Sequence, residues 1–161
     1  MPGLALLYGV HLLATAVWVG TLVGLTAFGL PGTAADWPRL WQQQKRVDMA
    51  LWAGLAGLWA TGMFQMDASA RYEGFLRVNS LWAAALLTKH ILVLAVMALT
   101  AWHSLRLLPA LRRRAWQARR GTTADPAADA ALQRGLRRWA WAQLGLAIAV
   151  LLVTAVVRAA A

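Results

Sequence analysis

Residues 79–108 read NSLWAAALLTKHILVLAVMALTAWHSLRLL. The run is long and apolar enough to cross a bilayer, yet it holds Lys89 and His90 side by side and His103 near its far end. Each residue of a helix adds about 1.5 Å, and a span needs roughly 20 apolar residues. A lysine deep in hydrocarbon costs on the order of 2.5–3.5 kcal/mol. A chain that keeps such groups inside a span has a use for them.

The composition around this stretch agrees with a membrane protein. Of 161 residues, 60% are hydrophobic and 14% charged, against about a quarter charged in soluble domains. Mean hydropathy is +0.53. The length holds four spans and little else. We expect them at about 4–30, 47–66, 79–108 and 139–157, forming one all-α bundle with a basic cytoplasmic loop over 109–138. The chain has no cysteine, which excludes disulfides, thiolate metal sites and catalytic thiols. Its net charge of +10 lies beside apolar runs, so the expected partner is anionic lipid headgroups and not nucleic acid. No Lys or Arg precedes Arg39, so the first run is read as a retained span and not a signal peptide.

Taken in order, the first span carries His11, Trp18 and the pair Gly20 and Gly24, whose spacing allows a second helix to approach closely. Pro31 and Gly32 are expected to stop it. The polar stretch 33–46 reads as a loop, with Trp37 and Trp41 suited to the membrane interface. On the second span Ala50, Gly54 and Gly57 form a small-residue strip for packing, and the span ends in Met63, Met66 and Asp67. Pro109 is expected to end the third span, and all five prolines lie outside the apolar cores. The centre of the basic loop, GTTADPAADA (121–130), is small and polar and reads as mobile. Basic residues crowd the first and third loops, with only Arg71, Arg77 and Arg158 on the other side. By the positive-inside rule both termini then face away from the cytoplasm.

That topology gathers His11, Met63, Met66, Asp67, Lys89 and His90 toward one outer half, with Lys89 and His90 roughly 12–17 Å down. Helical phase separates the polar groups of the third span. Lys89 and His103 fall within about 40° of one another, whereas His90 and His103 are turned by about 140°. Imidazole with thioether suits cuprous copper, and imidazole or carboxylate suits cupric. Histidines on different helices also suit a haem iron, with His11, His90 and His103 as its candidate ligands. Plainer readings stand beside these. Met63 and Met66 also serve as packing residues, His103 can reach the interface beside Trp102, and Lys89 can pair with Asp67. No Gly-rich phosphate loop, paired membrane carboxylates or Ser–His–Asp set is present, so no catalytic residue is assigned. An enzyme on this scaffold would be a haem-dependent oxidoreductase.

Four pieces resemble the CopD copper-resistance domain: HLLATAVWVG (11–20), LTK (87–89), AWHSLRLLP (101–109) and LGLAIAVLLVTA (144–155). The resemblance implies a multi-pass protein of the bacterial inner membrane linked to copper uptake or tolerance. On that reading His11 and His90 bind copper, Met63 and Met66 relay it, and Lys89 and Asp67 tune or gate the site. Partners consistent with it are a periplasmic copper-binding protein, a second copy of the chain, or a larger membrane complex that it serves as an accessory subunit. The family's usual Asn at the end of the third helix is replaced by His103, and its acidic residue early in the fourth by Gln143. More distantly the chain resembles the HemJ-type protoporphyrinogen oxidases, which implies haem b and electron transfer or porphyrinogen oxidation as the alternative.

Overall fold

A computed structural model describes residues 2–28, 36–67, 80–122 and 125–159, with side chains from Ala5 onward and excluding that of Asp67. The described residues contain no strand. The helices are α1 (Pro2–Phe28), α2 (Trp37–Asp67), α3 (Leu81–Trp102), a π-turn over His103–Leu107, α4 (Leu108–Arg119) and α5 (Pro126–Ala159). Four of the helical runs are long and apolar enough to cross a membrane: Ala5–Phe28, Trp37–Met66, Leu81–Arg119 and Pro126–Ala159. The all-α, four-span architecture expected from the sequence is therefore found.

The helices run further than the hydropathy suggests, because local capping starts and stops them. Asp36 begins α2 inside the stretch read as a loop; its carboxylate accepts from Arg39 N (3.2 Å). Ser80 caps α3 by accepting from Ala83 N (3.2 Å). Asp125 accepts from Ala127 N (2.9 Å) and is followed by Pro126 at the first helical position. So α5 starts within the stretch read as mobile. Gly121, at φ +67°, ends α4, with Thr122 N donating to Gln117 O and Gly121 N to Ala118 O. The basic segment 109–138 is thus mostly a helical hairpin. Arg114 pairs with both carboxylate oxygens of Asp129 across it. The turn expected at 31–32 and the loop 68–79, with Arg71, Glu73 and Arg77, lie outside the described residues.

Pro109 does not end the third helix. A proline lacks the N–H that would bond to the carbonyl four residues back, and its ring crowds that carbonyl. Here the ladder widens first: Leu108 N–H reaches back to His103 O, five residues and not four. The extra residue in this turn lets the helix pass Pro109 and continue to Arg119.

Packing follows the small residues of α2. A Cβ on Gly54 would lie 3.0 Å from Trp18 Cβ, and one on Gly57 3.2 Å from Ala14 Cβ, so these glycines let antiparallel α1 and α2 touch. Gly20 and Gly24 on α1 meet nothing within 4 Å; the close approach rests on α2's strip instead. Around the bundle α1 packs on α2 and α5, and α3 packs mainly on α5. Trp18, Leu22, Leu51, Leu55, Val96 and Ala147 fill the centre. A second apolar cluster, from Trp37, Leu40, Leu111, Ala115 and Leu136, joins α2 to the α4–α5 hairpin.

Candidate functional site

The polar side chains inside the bundle form two neighbourhoods, one at each end. At the end holding the α2 C-terminus, His11 points at α2. Its Nδ1 lies 2.7 Å from Thr61 Oγ1, and its Cε1 is the nearest atom to a Cβ built on Gly62 (3.9 Å). The Thr61 hydroxyl has one proton, and donates it to Gly57 O at 2.6 Å. Thr61 Oγ1 is then the acceptor toward His11, so Nδ1 carries the proton and Nε2 keeps a lone pair. Lys89 and Arg158 are close enough to the ring to act on it electrostatically, and the Arg158 guanidinium lies 4.9 Å over the Tyr8 ring.

His90 is half-buried, and its Nδ1–H donates to Leu86 O at 2.7 Å, so its Nε2 also has the lone pair when neutral. Met66 is buried at 8% exposure, while Met63 is 40% exposed. Met66 follows Gly62 by one helical turn, on the face of α2 that touches His11. It is Lys89 of α3 that acts electrostatically on His11. The side chain of Asp67 lies outside the described residues. No group of three or more His, Cys, Asp or Glu able to hold a metal occurs among the described residues.

At the other end, beside the basic hairpin, lies a network that the sequence reading did not assemble. His103 is 0% exposed, so it does not reach the interface. Its Nδ1–H donates to Asp48 Oδ1 (3.1 Å), its Nε2 faces Gln44 Oε1 (3.2 Å), and its ring stacks on Trp139 with centroids 3.9 Å apart. Ser104 Oγ donates to Asp48 Oδ1 (2.6 Å) and accepts from Trp52 Nε1 (3.0 Å). Gln143 Nε2 donates to Thr100 Oγ1 (2.7 Å), and Trp139 Nε1 donates to Leu99 O (2.9 Å). With both nitrogens taken by protein groups and one face covered by Trp139, His103 offers no atom to a haem iron in this structure.

Asp48, Gln44 and Ser104 were missed. The signal was present: Asp48 is the one carboxylate within the apolar run 47–66, and Gln44 precedes it by one helical turn on the same face. The two departures from the CopD pattern, His103 and Gln143, both belong to this network. They meet at Thr100, whose Oγ1 accepts from Gln143 Nε2 and whose carbonyl accepts from the His103 backbone N–H.

The fold and these sites define a multi-pass membrane protein of four long helices, with buried polar centres near both ends. The copper resistance protein D family, CopD, matches over residues 46–157, well over half of the chain, and the chain belongs to that family. Helix α1, which carries His11, precedes the matched residues. No curated protein and no solved structure matched the chain.

Proposed function

We propose that this protein handles copper in the bacterial inner membrane, taking the ion as cargo at the end of the bundle where α2 finishes. Membership of the copper resistance protein D family supports copper as the ion. The observation that carries the site is the His11–Thr61 hydrogen bond, which fixes the ring and keeps the Nε2 lone pair for a ligand. Met63, exposed, is the outer thioether; Met66, buried one turn beyond Gly62, is the inner one. His90 is the second imidazole, held through Nδ1 by its own helix.

The charge around His11 favours the cuprous ion. Lys89 and Arg158 repel any cation there, and Coulomb energy scales with charge, so a monovalent ion meets half the repulsion of a divalent one. Thioethers suit the same oxidation state. The positive-inside pattern puts this end outside the cytoplasm and the basic hairpin within it. A periplasmic copper-binding protein is the fitting partner for the outer face, and anionic lipid for the hairpin.

The test is copper content and cuprous affinity of the purified protein in lipid nanodiscs. Wild-type protein is expected to retain copper, and His11→Ala combined with His90→Ala to lose it. A double variant that keeps the wild-type stoichiometry would overturn the assignment.

A further inference from the structure

The buried network around His103 has a feature that packing alone does not explain. A carbonyl oxygen only accepts hydrogen bonds, so Gln44 Oε1 at 3.2 Å requires a proton on His103 Nε2. Asp48 Oδ1 also accepts from Ser104 and requires a proton on Nδ1. The arrangement as it stands is that of a doubly protonated ring beside a carboxylate. Meanwhile Gln44 Nε2, fully buried, finds no partner among the described residues. Turning the amide by half a revolution would bring that N–H group onto His103 Nε2, which then must be the unprotonated acceptor. Either orientation leaves one amide atom without a partner, so the protonation state of His103 selects between them.

We propose that His103 is a reversible proton-binding site, stabilised by Asp48 and read out by the orientation of the Gln44 amide. The neutral ring keeps its Nδ1–H donated to Asp48 Oδ1, and the proton gained goes to Nε2, on the side of Gln44. Asp48, its side chain 16% exposed beside the fully buried ring, supplies the compensating negative charge. The other charged groups on the surrounding elements are turned away. Lys45 and Arg46 on α2, Arg106 on the π-turn, Arg112 and Arg113 on α4, and Arg137 and Arg138 on α5 are exposed. Arg114 on α4 is held by Asp129, and α1 carries no Asp, Glu, Lys or Arg. Asp48 is thus the carboxylate that stabilises the protonated ring. The π-turn places it there: His103 and Ser104 open the widened turn, and adjacent side chains both reach Asp48.

The proposal stands apart from the copper reading, and its test uses no metal. Full-length protein with 15N-labelled histidine rings is placed in lipid nanodiscs, and the ring nitrogens are followed between about pH 5 and about pH 9, the window in which histidine changes charge. Variants His11→Gln and His90→Gln assign the signals. The His103 ring is expected to pass from two protonated nitrogens to one, with the Gln44 amide signals changing in step. At a fixed pH inside the transition, Asp48→Asn is expected to lower the doubly protonated population about tenfold, and Gln44→Glu to raise it about tenfold. Damage to the fold would not move the two variants in opposite directions. If Asp48→Asn does not fold, the Gln44→Glu shift decides alone. A ring that keeps one pattern across the range in wild-type protein, or folded variants that leave the population unchanged, would overturn the proposal.

Discussion

Replacing Thr61 by valine tests whether His11 is a prepared ligand. The substitution keeps the shape of the side chain and removes the oxygen that lies 2.7 Å from His11 Nδ1. Thr61's own bond to Gly57 O is lost at little cost, because that carbonyl keeps its place in the helix ladder. What changes is the imidazole: its Nδ1–H has no acceptor, so the ring turns or moves its proton to Nε2, the nitrogen meant for the ion. A neutral hydrogen bond contributes about 0.5–1.5 kcal/mol. Removing the partner that orients a metal-binding histidine typically costs about 10- to 100-fold in metal affinity, or about 1.4–2.8 kcal/mol. The half-buried position of His11 points to the lower part of that range. Cuprous affinity is read by competition with a chromogenic chelator in nanodiscs. Thr61→Ser, which keeps the oxygen, is expected to bind as wild type does, and Thr88→Val, on an exposed threonine, to have no effect. Wild-type affinity in Thr61→Val, together with its loss in His11→Ala, would refute the idea that Thr61 prepares the ring.

Two further outcomes follow from packing. Gly54→Ala puts a methyl 3.0 Å from Trp18 Cβ, which cannot swing away, whereas Gly20→Ala places one in open space. Both gain the same helix propensity, so their difference isolates the crowding, about 1–3 kcal/mol against Gly54→Ala. Denaturation of the helical signal in mixed micelles measures it, and equal stabilities would contradict the α1–α2 contact. Arg114→Ala leaves the Asp129 carboxylate, 17% exposed, without its guanidinium partner. The expected loss is about 1–3 kcal/mol, and it should shrink in the Asp129→Asn background.

The four spans and the packing strip on α2 were legible because hydropathy and small-residue spacing are local properties of the chain. Helix ends were read less well. Asp36 and Asp125 extend α2 and α5 into polar sequence, where apolar character says nothing but a capping side chain does. Pro109 read as a stop because its missing N–H is visible in sequence; the π-turn that accommodates it depends on tertiary partners of His103 and Ser104. Phase along α3 separates His90 from Lys89 and His103. It could not tell which groups on α2 would meet them. Thr61 and Asp48 lie 50 and 55 positions from their histidine partners, separations at which spacing carries no signal.

That shared face of α3 constrains how the two polar ends relate. From Lys89 it runs through Val96 and Thr100 to His103, a rise of about 21 Å, and its middle is apolar. Val96 is fully buried there, with Leu51, Leu22 and Ala147 also at 0% exposure. The polar atoms beside that layer come from Gln143 and Thr100: Gln143 Nε2 lies 3.3 Å from Val96 O, and its Oε1 finds no partner among the described residues. On the two proposals above, this conformation separates a copper site at the α2 C-terminal end from a proton site beside the hairpin. On that reading, passage of copper past Val96 requires the α3–α5 packing to open. The side chains that hold α3 to α5 at this level are Trp139, on Leu99 O, and Gln143, on Thr100. Trp139 also stacks on the His103 ring, so on the proton-binding proposal the charge of that ring acts on an α3–α5 contact.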